Sequence, residues 1–431
     1  MNNPLLKINN YGQSIWMDNL SRSLIESGEL EKQIENYGLR GITSNPAIFE
    51  KAMQRGLGGF PHKRLHQEAI AGNQVYDADI EAGIKADKPV SEIYESLIFK
   101  DIRDTCDCEA SRRHRFKEVY EQTGGLDGYV SIEVNPHLAK DTEGTVEEAL
   151  RYYKAIDRAN VMIKIPGTPE GFPAVERVIA EGINVNITLL FSVESYQEAA
   201  WAYIRGLETR VLKDTASHIK QDKPIDRIAS VASFFLSRID TKIDDRINER
   251  LKNIGTETLN EEARKCGLGG FPHEQLSQEA RLRQVQGKVA IANAKLAYQK
   301  FREIINSDRW KAIADKGANI QRLLWASTST KNPEYNDVMY VDELVGEHTV
   351  NTLPPTTLEA CADHCDITAN PIETNVEEAK QLIASLQDSD INIDLNEVMQ
   401  ELLEEGINKF IQPFDSLQQT LEDKVKQLAT T

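Results

Sequence analysis

The sequence predicts an α/β fold, namely a closed (β/α)8 TIM barrel with a helical C-terminal extension. The first observation is that eight short apolar runs are spaced along the 431 residues. The second is that the charged stretches between these runs carry apolar residues at three- and four-residue spacing, as amphipathic helices do. A strand followed by a helix, repeated eight times, is the pattern of a closed parallel barrel. A doubly wound open sheet is the main alternative, but no glycine-rich turn follows the first run to support it.

The eight apolar runs are the predicted strands, because the strands of a parallel barrel are buried on both faces. Stretches such as TVEEALRYYKAIDRAN and SVESYQEAAWAYIRGLETRVLKD lie between them and predict helices. In chain order the predicted strands are SIWMDNL (14–20), LRGITSN (39–45), GYVSIEVN (128–135), VMIKIPG (161–167), INVNITLLFS (183–192), IASVASFFLSRID (228–240), LLWASTST (323–330) and HTVNTLP (348–354).

A long acidic tail, residues 356–431, follows the last predicted strand and predicts a helical extension. Its segment GINKFIQPFDSLQQTLEDKVKQL is amphipathic, with Phe410, Phe414 and Leu417 on one stripe. We expect this segment to pack across the barrel as an extra helix. The whole chain, 1–431, is then one domain.

Two nearly identical segments interrupt the predicted helices. GLGGFPHKRLHQEA (56–69) matches GLGGFPHEQLSQEA (267–280) at eleven of fourteen positions, and the flanking sequences do not match. Excising residues 53–69 and 264–280 leaves continuous helical sequence, so we interpret both as inserted surface segments. The alternative is a recognition tag or a phosphate-binding loop, but the segments lack the lysine-serine ending of a Walker motif.

The charge of the chain restricts its partners. Acidic residues outnumber basic ones by 68 to 50, which gives a formal net charge of −18. Such a surface repels nucleic acid and anionic membranes, so neither is expected as a partner. A signal peptide and a long apolar span are not apparent, and five cysteines are too few for a disulfide framework. We expect a cytoplasmic protein with small-molecule ligands; the oligomeric state is not determined, and a homodimer is left open.

A lysine interrupts the fourth apolar run. In VMIKIPG, Val161, Ile163 and Ile165 share one side of the strand, and Met162 and Lys164 share the other. Because side chains alternate along a strand, Lys164 lies inside the barrel if the isoleucines face the helices. Burying a charged lysine without a partner costs several kcal/mol, so its position needs an explanation.

Polar residues recur on one face of other strands, which predicts a polar barrel interior. Asp18 and Glu133 are carboxylates within the first and third runs, and Asn186 and Thr188 share a face of the fifth. Amides such as Asn45 and Asn186 offer donors and acceptors to sugar hydroxyls without adding charge.

Two explanations of Lys164 remain open. In the structural one, Asp18 or Glu133 neutralises it in a buried ion pair, although such pairs are weak evidence for stability. In the functional one, desolvation favours the neutral amine, which attacks a carbonyl and forms a Schiff base. A Schiff-base enzyme also moves protons on and off its intermediate and deprotonates a hydroxyl when a carbon–carbon bond breaks. Asp18 and Glu133 could divide these tasks.

The late strands carry a candidate phosphate site. Ser233 and Arg238 lie near the end of the sixth strand, and Ser327 and Lys331 near the end of the seventh. Barrel phosphate sites commonly lie at these strand ends, and arginine makes bidentate contacts with phosphate oxygens. The alternative is that Arg238 and Lys331 merely pair with surface acids such as Asp240 or Glu334.

The cysteines give only a weak signal for a metal. Cys106 and Cys108, with Cys361, His364 and Cys365, could form a zinc site on paper. The spacing is not that of repeated C-x2-C pairs, and the two groups are about 250 residues apart. No metal is therefore expected, and free thiols are the favoured interpretation.

Seven motifs follow one another along the chain: SIWMDNL, GITSNPAIFEKA, GYVSIEVNP, MIKIPGT, GINVNITLLFS, SVASFFLSRID and WASTSTKNPEY. In this order they resemble those of the bacterial transaldolases, over essentially the whole chain apart from the two inserts. The resemblance implies a (β/α)8 barrel that needs no metal or coenzyme. It also implies a transferase of the pentose phosphate pathway that moves a dihydroxyacetone unit between sugar phosphates.

Carried over residue by residue, the resemblance assigns a catalytic group. Lys164 corresponds to the Schiff-base lysine, and Asp18 to the base of the aldol cleavage step. Glu133 corresponds to an acid/base that acts through a water, which Thr188 helps to hold.

The resemblance also assigns the residues that bind substrate. Asn45 and Asn186 correspond to amides that bind the dihydroxyacetone hydroxyls. Ser233 and Arg238 correspond to phosphate ligands, with Phe235 beside them.

One position departs from the family pattern, and two other functions are possible. Many transaldolases carry a second arginine after the seventh strand, where this chain has Lys331. The lysine ammonium is a compact charge and cannot make the bidentate contact of a guanidinium. One alternative function is an aldolase that releases free dihydroxyacetone, although such enzymes are shorter and tend to lack the long tail. The other is a noncatalytic sugar-phosphate-binding protein, which the complete set of catalytic positions disfavours.

Overall fold

The predicted TIM barrel is confirmed by the computed structural model, which describes residues 3–55, 75–107, 115–217, 224–264 and 273–430. The strands are β1 (Gln13–Asp18), β2 (Gly41–Thr43), β3 (Tyr129–Glu133), β4 (Val161–Pro166), β5 (Val185–Leu190), β6 (Ser230–Phe235), β7 (Arg322–Ala326) and β8 (Thr349–Leu353). Each overlaps its predicted run. All neighbouring strands are parallel and follow chain order, and β8 pairs with β1 to close the barrel.

Helices surround the strands and form the C-terminal part. In the first half of the chain they are α1 (Leu5–Ile8), α2 (Arg22–Glu26), α3 (Glu29–Tyr37), α4 (Pro46–Arg55), α5 (Asp77–Lys85), α6 (Val90–Cys106), α7 (Arg115–Gln122), α8 (Thr142–Ile156), α9 (Gly171–Ala180) and α10 (Val193–Ser217). In the second half they are α11 (Ser237–Arg264), α12 (His273–Val285), α13 (Val289–Asn306), α14 (Asp308–Ala314), α15 (Met339–Asp342), α16 (Pro355–His364), α17 (Val376–Ser385) and α18 (Leu395–Ala429).

Alternation along the strands sorts side chains between the barrel interior and the surrounding helices. In β4, Val161, Ile163 and Ile165 have no exposed surface, and the strand packs against α8 and α9. Lys164 lies on the opposite face of the strand from these three residues and lines a cavity inside the barrel. The orientation predicted from the sequence is therefore correct.

Buried polar side chains close the amino-terminal end of the barrel and hydrogen-bond to one another. The Asp127 carboxylate accepts hydrogen bonds from Ser14 Oγ at 2.7 Å, Trp16 Nε1 at 3.2 Å and Arg322 Nη2 at 2.7 Å. The Trp16 ring fills the space beside Gly41, where an added Cβ would come within 2.5 Å of it. Because these groups satisfy one another, this end of the barrel serves stability.

The C-terminal helix α18 packs against α4, α5, α6, α11 and β5, as the amphipathic tail predicts. Leu417 is fully buried, and the Phe414 ring meets the Tyr94 ring edge-on at 5.6 Å. Pro413 lies inside this 35-residue helix. The apolar stripe that the sequence predicts is therefore the surface that docks on the barrel.

The repeated inserts are described only in part. Residues 56–69 of the first insert lie outside the described residues, as do 265–272 of the second. Residue 264 ends α11, and 273–280 belong to α12. Their origin as inserted surface segments, and the treatment of 1–431 as one domain, stay predictions. Within the described part of the chain, no helix combines the length and the hydropathy that crossing a membrane requires.

Candidate active site

A polar cavity opens at the carboxyl ends of the strands and encloses about 440 Å³ when the solvent space at its open mouth is included. It collects all but three of the residues predicted from the sequence. The three that do not line it are Glu133, Asn186 and Lys331. Its lining is Asp18, Thr43, Asn45, Lys164, Thr188, Ser233, Phe235, Arg238, Ala326, Ser327, Thr352 and Phe410.

Lys164 is buried at the base of this cavity. Its side chain is 5% exposed, and its ammonium donates a hydrogen bond to the Ser44 backbone oxygen at 3.2 Å. Nζ lies 3.5 Å from Oε2 of Glu133 and 5.6 Å from the centre of the Phe410 ring. The lysine is thus held by one carbonyl and one carboxylate.

Glu133 lies beside the lysine because β3 and β4 pair with Glu133 opposite Lys164. Neither carboxylate oxygen has a hydrogen-bond partner among the described residues, although both are buried. Burial raises the pKa of Glu133 to about 7, and Asp18 acts in the same direction, while Lys164 and Arg238 oppose the shift. A carboxyl group with this pKa can exchange a proton near neutral pH.

Asp18 ends β1 on the other side of the cavity. It accepts a hydrogen bond from Thr43 Oγ1 at 2.7 Å, and Thr43 Oγ1 lies 3.1 Å from Thr352 Oγ1. Thr43 lies opposite Asp18 in the β1–β2 register. The two threonines orient the carboxylate. They were not predicted as site residues, but the alternation of side chains along β2 and β8 would have placed them inside the barrel.

The two predicted amides lie in different positions. Asn45 precedes α4 and lines the cavity, and its Oδ1 accepts the Ile48 N–H at 3.1 Å, which leaves its NH2 group for a ligand. Asn186 is fully buried behind Ser233. It accepts from Ser233 Oγ at 2.6 Å and donates to Ser131 Oγ at 3.1 Å. Its contact with a sugar hydroxyl therefore stays a prediction.

The end of β5 is irregular where it enters the site. The register with β6 shifts between Ile187 and Leu190, and Leu189 has a φ of 61°, which is rare for a branched side chain. The buried Thr188 Oγ1 lines the cavity and has no hydrogen-bond partner among the described residues. Such bulges redirect side chains at functional sites and are hard to predict from sequence.

Arg238, in the first turn of α11, is a half-buried cation facing the cavity. Its guanidinium carbon lies 5.0 Å from the Phe235 ring centre, and Nη1 has no hydrogen-bond partner among the described residues. Burial lowers the pKa of Arg238, and Asp18 and Glu133 oppose the shift.

The structure bears on the alternative in which Arg238 pairs with Asp240. The Asp240 carboxylate accepts instead from Tyr340 Oη at 2.7 Å and from the Ala290 N–H at 2.8 Å. Nη1 of Arg238 has no hydrogen-bond partner, from Asp240 or from any other of the described residues. The surface-pair interpretation of Arg238 is therefore wrong.

Ser327 and Lys331 continue the site outward. Ser327 has a φ of 56°, its carbonyl accepts the Ser237 N–H at 3.0 Å, and the two hydroxyls lie 2.9 Å apart. Lys331 lines the adjacent cleft beside Ser237, and its pKa is lowered by partial burial and by the charges of Arg238 and Lys51. Lys51, in α4, was not predicted. Three like charges thus face one region, which suits an anion.

The weak metal signal gains no support. Cys106, Cys361 and Cys365 are free and buried, and Cys108 lies outside the described residues. In the described ranges, no three His, Cys, Asp or Glu side chains are grouped as metal ligands would be.

Comparison with known proteins identifies the family of the chain. The family described as Transaldolase/Fructose-6-phosphate aldolase matches residues 15–421. A protein of Trichodesmium erythraeum named Transaldolase is 61% identical over 426 residues, which cover 99% of this chain and 98% of the relative. A protein of Nostoc sp. named Transaldolase 2 is 58% identical over 99% of both chains, and a Saccharopolyspora erythraea Transaldolase is 40% identical over 99% of both. The chain therefore belongs to the transaldolase/fructose-6-phosphate aldolase family.

Proposed function

We propose that this protein is a transaldolase that transfers a dihydroxyacetone unit through a Schiff base on Lys164. The reaction is sedoheptulose 7-phosphate plus glyceraldehyde 3-phosphate giving erythrose 4-phosphate plus fructose 6-phosphate, a step of the pentose phosphate pathway. The observation that carries the proposal is the buried Lys164 amine, 3.5 Å from Glu133, in a cavity that Arg238 also lines.

The first chemical step joins Lys164 to the donor ketone. Glu133 accepts a proton from the lysine, the neutral amine attacks the carbonyl carbon, and the resulting carbinolamine loses water to form a protonated imine. The raised pKa makes Glu133 a stronger base than an ordinary carboxylate. The side-chain oxygens of Glu133 and Thr188 are buried and have no hydrogen-bond partner in the described part of the chain, which supports the proposal that a water between them relays these protons.

The second step breaks the carbon–carbon bond. Asp18 takes the proton of the C4 hydroxyl, the C3–C4 electron pair moves into the protonated imine, and the aldose phosphate leaves. A three-carbon enamine remains on Lys164 and adds to the acceptor aldehyde by the reverse steps. Because the protonated imine is the electron sink, these steps require no metal or coenzyme.

The cationic side of the cavity suits the phosphate of the substrate. Arg238 and Ser327 line the cavity, and Lys331 and Lys51 place further positive charge nearby. Within the described ranges Nη1 of Arg238 has no hydrogen-bond partner, so the guanidinium suits a bidentate phosphate contact. Of the uncharged residues, Asn45 and Ser233 line the cavity near Lys164 and suit sugar hydroxyls, with Asn186 behind Ser233 and Phe235 under Arg238.

We further propose that the protein acts in the cytoplasm on small sugar phosphates. Its acidic composition disfavours nucleic acid and anionic membranes as partners. The family also contains fructose-6-phosphate aldolases, as its description states. Release of free dihydroxyacetone as the main product would favour that activity.

Borohydride trapping tests the proposed function. Incubation with fructose 6-phosphate and borohydride should reduce the enamine-derived imine to a stable amine. Mass spectrometry of the digested protein is expected to show a three-carbon adduct on the peptide that contains Lys164. Glyceraldehyde 3-phosphate should form in the same incubation, and sedoheptulose 7-phosphate when erythrose 4-phosphate replaces borohydride. A folded protein that forms neither adduct nor products would contradict the proposal.

The activity is also expected to fall as the pH drops through about 7. Below this value Glu133 is protonated in the folded protein and can no longer accept the Lys164 proton; above it the carboxylate is present. The apparent value belongs to the interacting pair and not to one residue. The measurement is kcat/KM for fructose 6-phosphate across neutral pH.

Two variants separate this effect from general acid sensitivity. Glu133→Gln should lower kcat/KM by about 10²–10⁴-fold, since the base is lost. It should also remove the fall of kcat/KM at low pH, which is the acidic limb of the pH profile. Glu143→Gln alters an exposed acid of α8 that pairs with Arg177, and it should keep the limb. An unchanged limb in Glu133→Gln would show that another group titrates.

A further inference from the structure

Phe410 of α18 covers the lysine from outside the barrel. It is 4% exposed, lines the cavity, and its ring centre lies 5.6 Å from Lys164 Nζ and 5.9 Å from the Arg238 guanidinium carbon. Most of the other lining groups are polar. The ring is therefore an apolar surface directly against the position where the Schiff base forms.

Gly406, one helical turn before Phe410, lets the helix approach the barrel this closely. A Cβ at Gly406 would lie 2.9 Å from Leu189 Cδ2 and 3.5 Å from Arg238 Nη1. Leu189 is the residue of positive φ in the β5 bulge. Residues four apart lie on the same face of a helix, so the small residue and the aromatic ring act at one contact surface.

Ion pairs connect this part of α18 to neighbouring elements. Glu405 pairs with Lys242 of α11 at 2.6 Å, and Glu404 pairs with Lys140, which follows β3, at 2.7 Å. Glu405 adjoins Gly406 in the chain, and Glu404 precedes Gly406 by two residues. Such exposed pairs contribute little stability singly, and they connect the helix to α11 and to the segment after β3.

We propose that Phe410 shields the three-carbon intermediate on Lys164 from water and thereby favours transfer over release of free dihydroxyacetone. This inference rests on the proposed function. The proposal assigns this shielding to the C-terminal helix, which is distant in sequence from the strands that carry the reacting groups but lies against the cavity.

The side reaction that the ring suppresses has two steps. The enamine carbon takes a proton from water and becomes the protonated imine of dihydroxyacetone. A water molecule then adds to the imine carbon, the carbon–nitrogen bond breaks, and dihydroxyacetone and the free Lys164 amine are released. Both steps require water near the intermediate, whereas addition to an acceptor aldehyde consumes the enamine before it is protonated.

The test compares two products in variants of the full chain. With fructose 6-phosphate alone, the rate of dihydroxyacetone release is measured; with erythrose 4-phosphate added, the rate of sedoheptulose 7-phosphate formation is measured. Phe410→Ala is expected to raise the ratio of release to transfer about tenfold or more. Phe410→Leu keeps apolar bulk and should change the ratio less.

Phe414→Ala is the matched control, because Phe414 lies one turn further along α18 and packs on Tyr94 and His137 instead of lining the cavity. Its ratio should stay at the wild-type value. An unchanged ratio in Phe410→Ala, or an equal rise in Phe414→Ala, would overturn the shielding role. If wild-type protein gives no borohydride adduct on Lys164, the proposed function itself fails, so the two failures are distinguishable.

Discussion

Replacing Lys164 with alanine is expected to abolish both borohydride trapping and transfer, with kcat lowered by at least about 10⁴-fold. The reason is that the amine forms the covalent bond to the donor ketone. Among the described residues Lys164 is the one amine that lines the cavity, and the other basic group there is the guanidinium of Arg238. Arginine is too weak a nucleophile at neutral pH to replace it. The measurement is the rate of sedoheptulose 7-phosphate formation, together with mass spectrometry of the trapped protein.

Lys295→Ala is the matched control for this variant. Lys295 is also a buried lysine, 4% exposed, but it lies in α13 and pairs with Glu343 at 3.0 Å, away from the cavity. Its loss should leave kcat near the wild-type value, which separates loss of the nucleophile from loss of a buried cation. Circular dichroism would verify that both variants fold. Transfer by the folded Lys164→Ala variant at a wild-type rate would refute the Schiff-base mechanism.

Replacing Asp18 with asparagine is expected to lower kcat by about 10²–10⁴-fold while Schiff-base formation continues. The amide has the shape of the carboxylate and can still accept the Thr43 hydrogen bond, but it cannot take the C4 hydroxyl proton. Imine formation does not need this base, so the donor should remain attached without cleavage. Borohydride is then expected to trap a six-carbon adduct on Lys164 in place of the three-carbon one.

The Glu133→Gln variant provides the contrast. Because Glu133 is proposed to serve imine formation, that variant should slow the appearance of every adduct, whatever its length. Asp18→Asn should slow only the three-carbon adduct and the aldose phosphate that accompanies it. A three-carbon adduct forming at the wild-type rate in Asp18→Asn would assign cleavage to another base.

The amino-acid sequence by itself determined the barrel and the orientation of its lysine. Eight apolar runs separated by amphipathic stretches predict eight strands and their helices, since each period is a local property of the chain. The same period of two placed Lys164 opposite Val161, Ile163 and Ile165, and therefore inside. The helical spacing of apolar residues in the tail also predicted that the stripe with Phe410, Phe414 and Leu417 would pack across the barrel.

Only the tertiary structure decided the distances and contacts between these residues. The register of β3 with β4 puts Glu133 beside Lys164, and the neighbours of Asn186 show that its amide is already occupied. The docking of α18 brings Phe410 to a lysine nearly 250 residues earlier. Side-chain alternation determines which face of a strand a residue occupies. The distances between side chains depend instead on strand register, on the β5 bulge and on packing between distant segments. These are set by the whole fold and leave no local pattern in the chain.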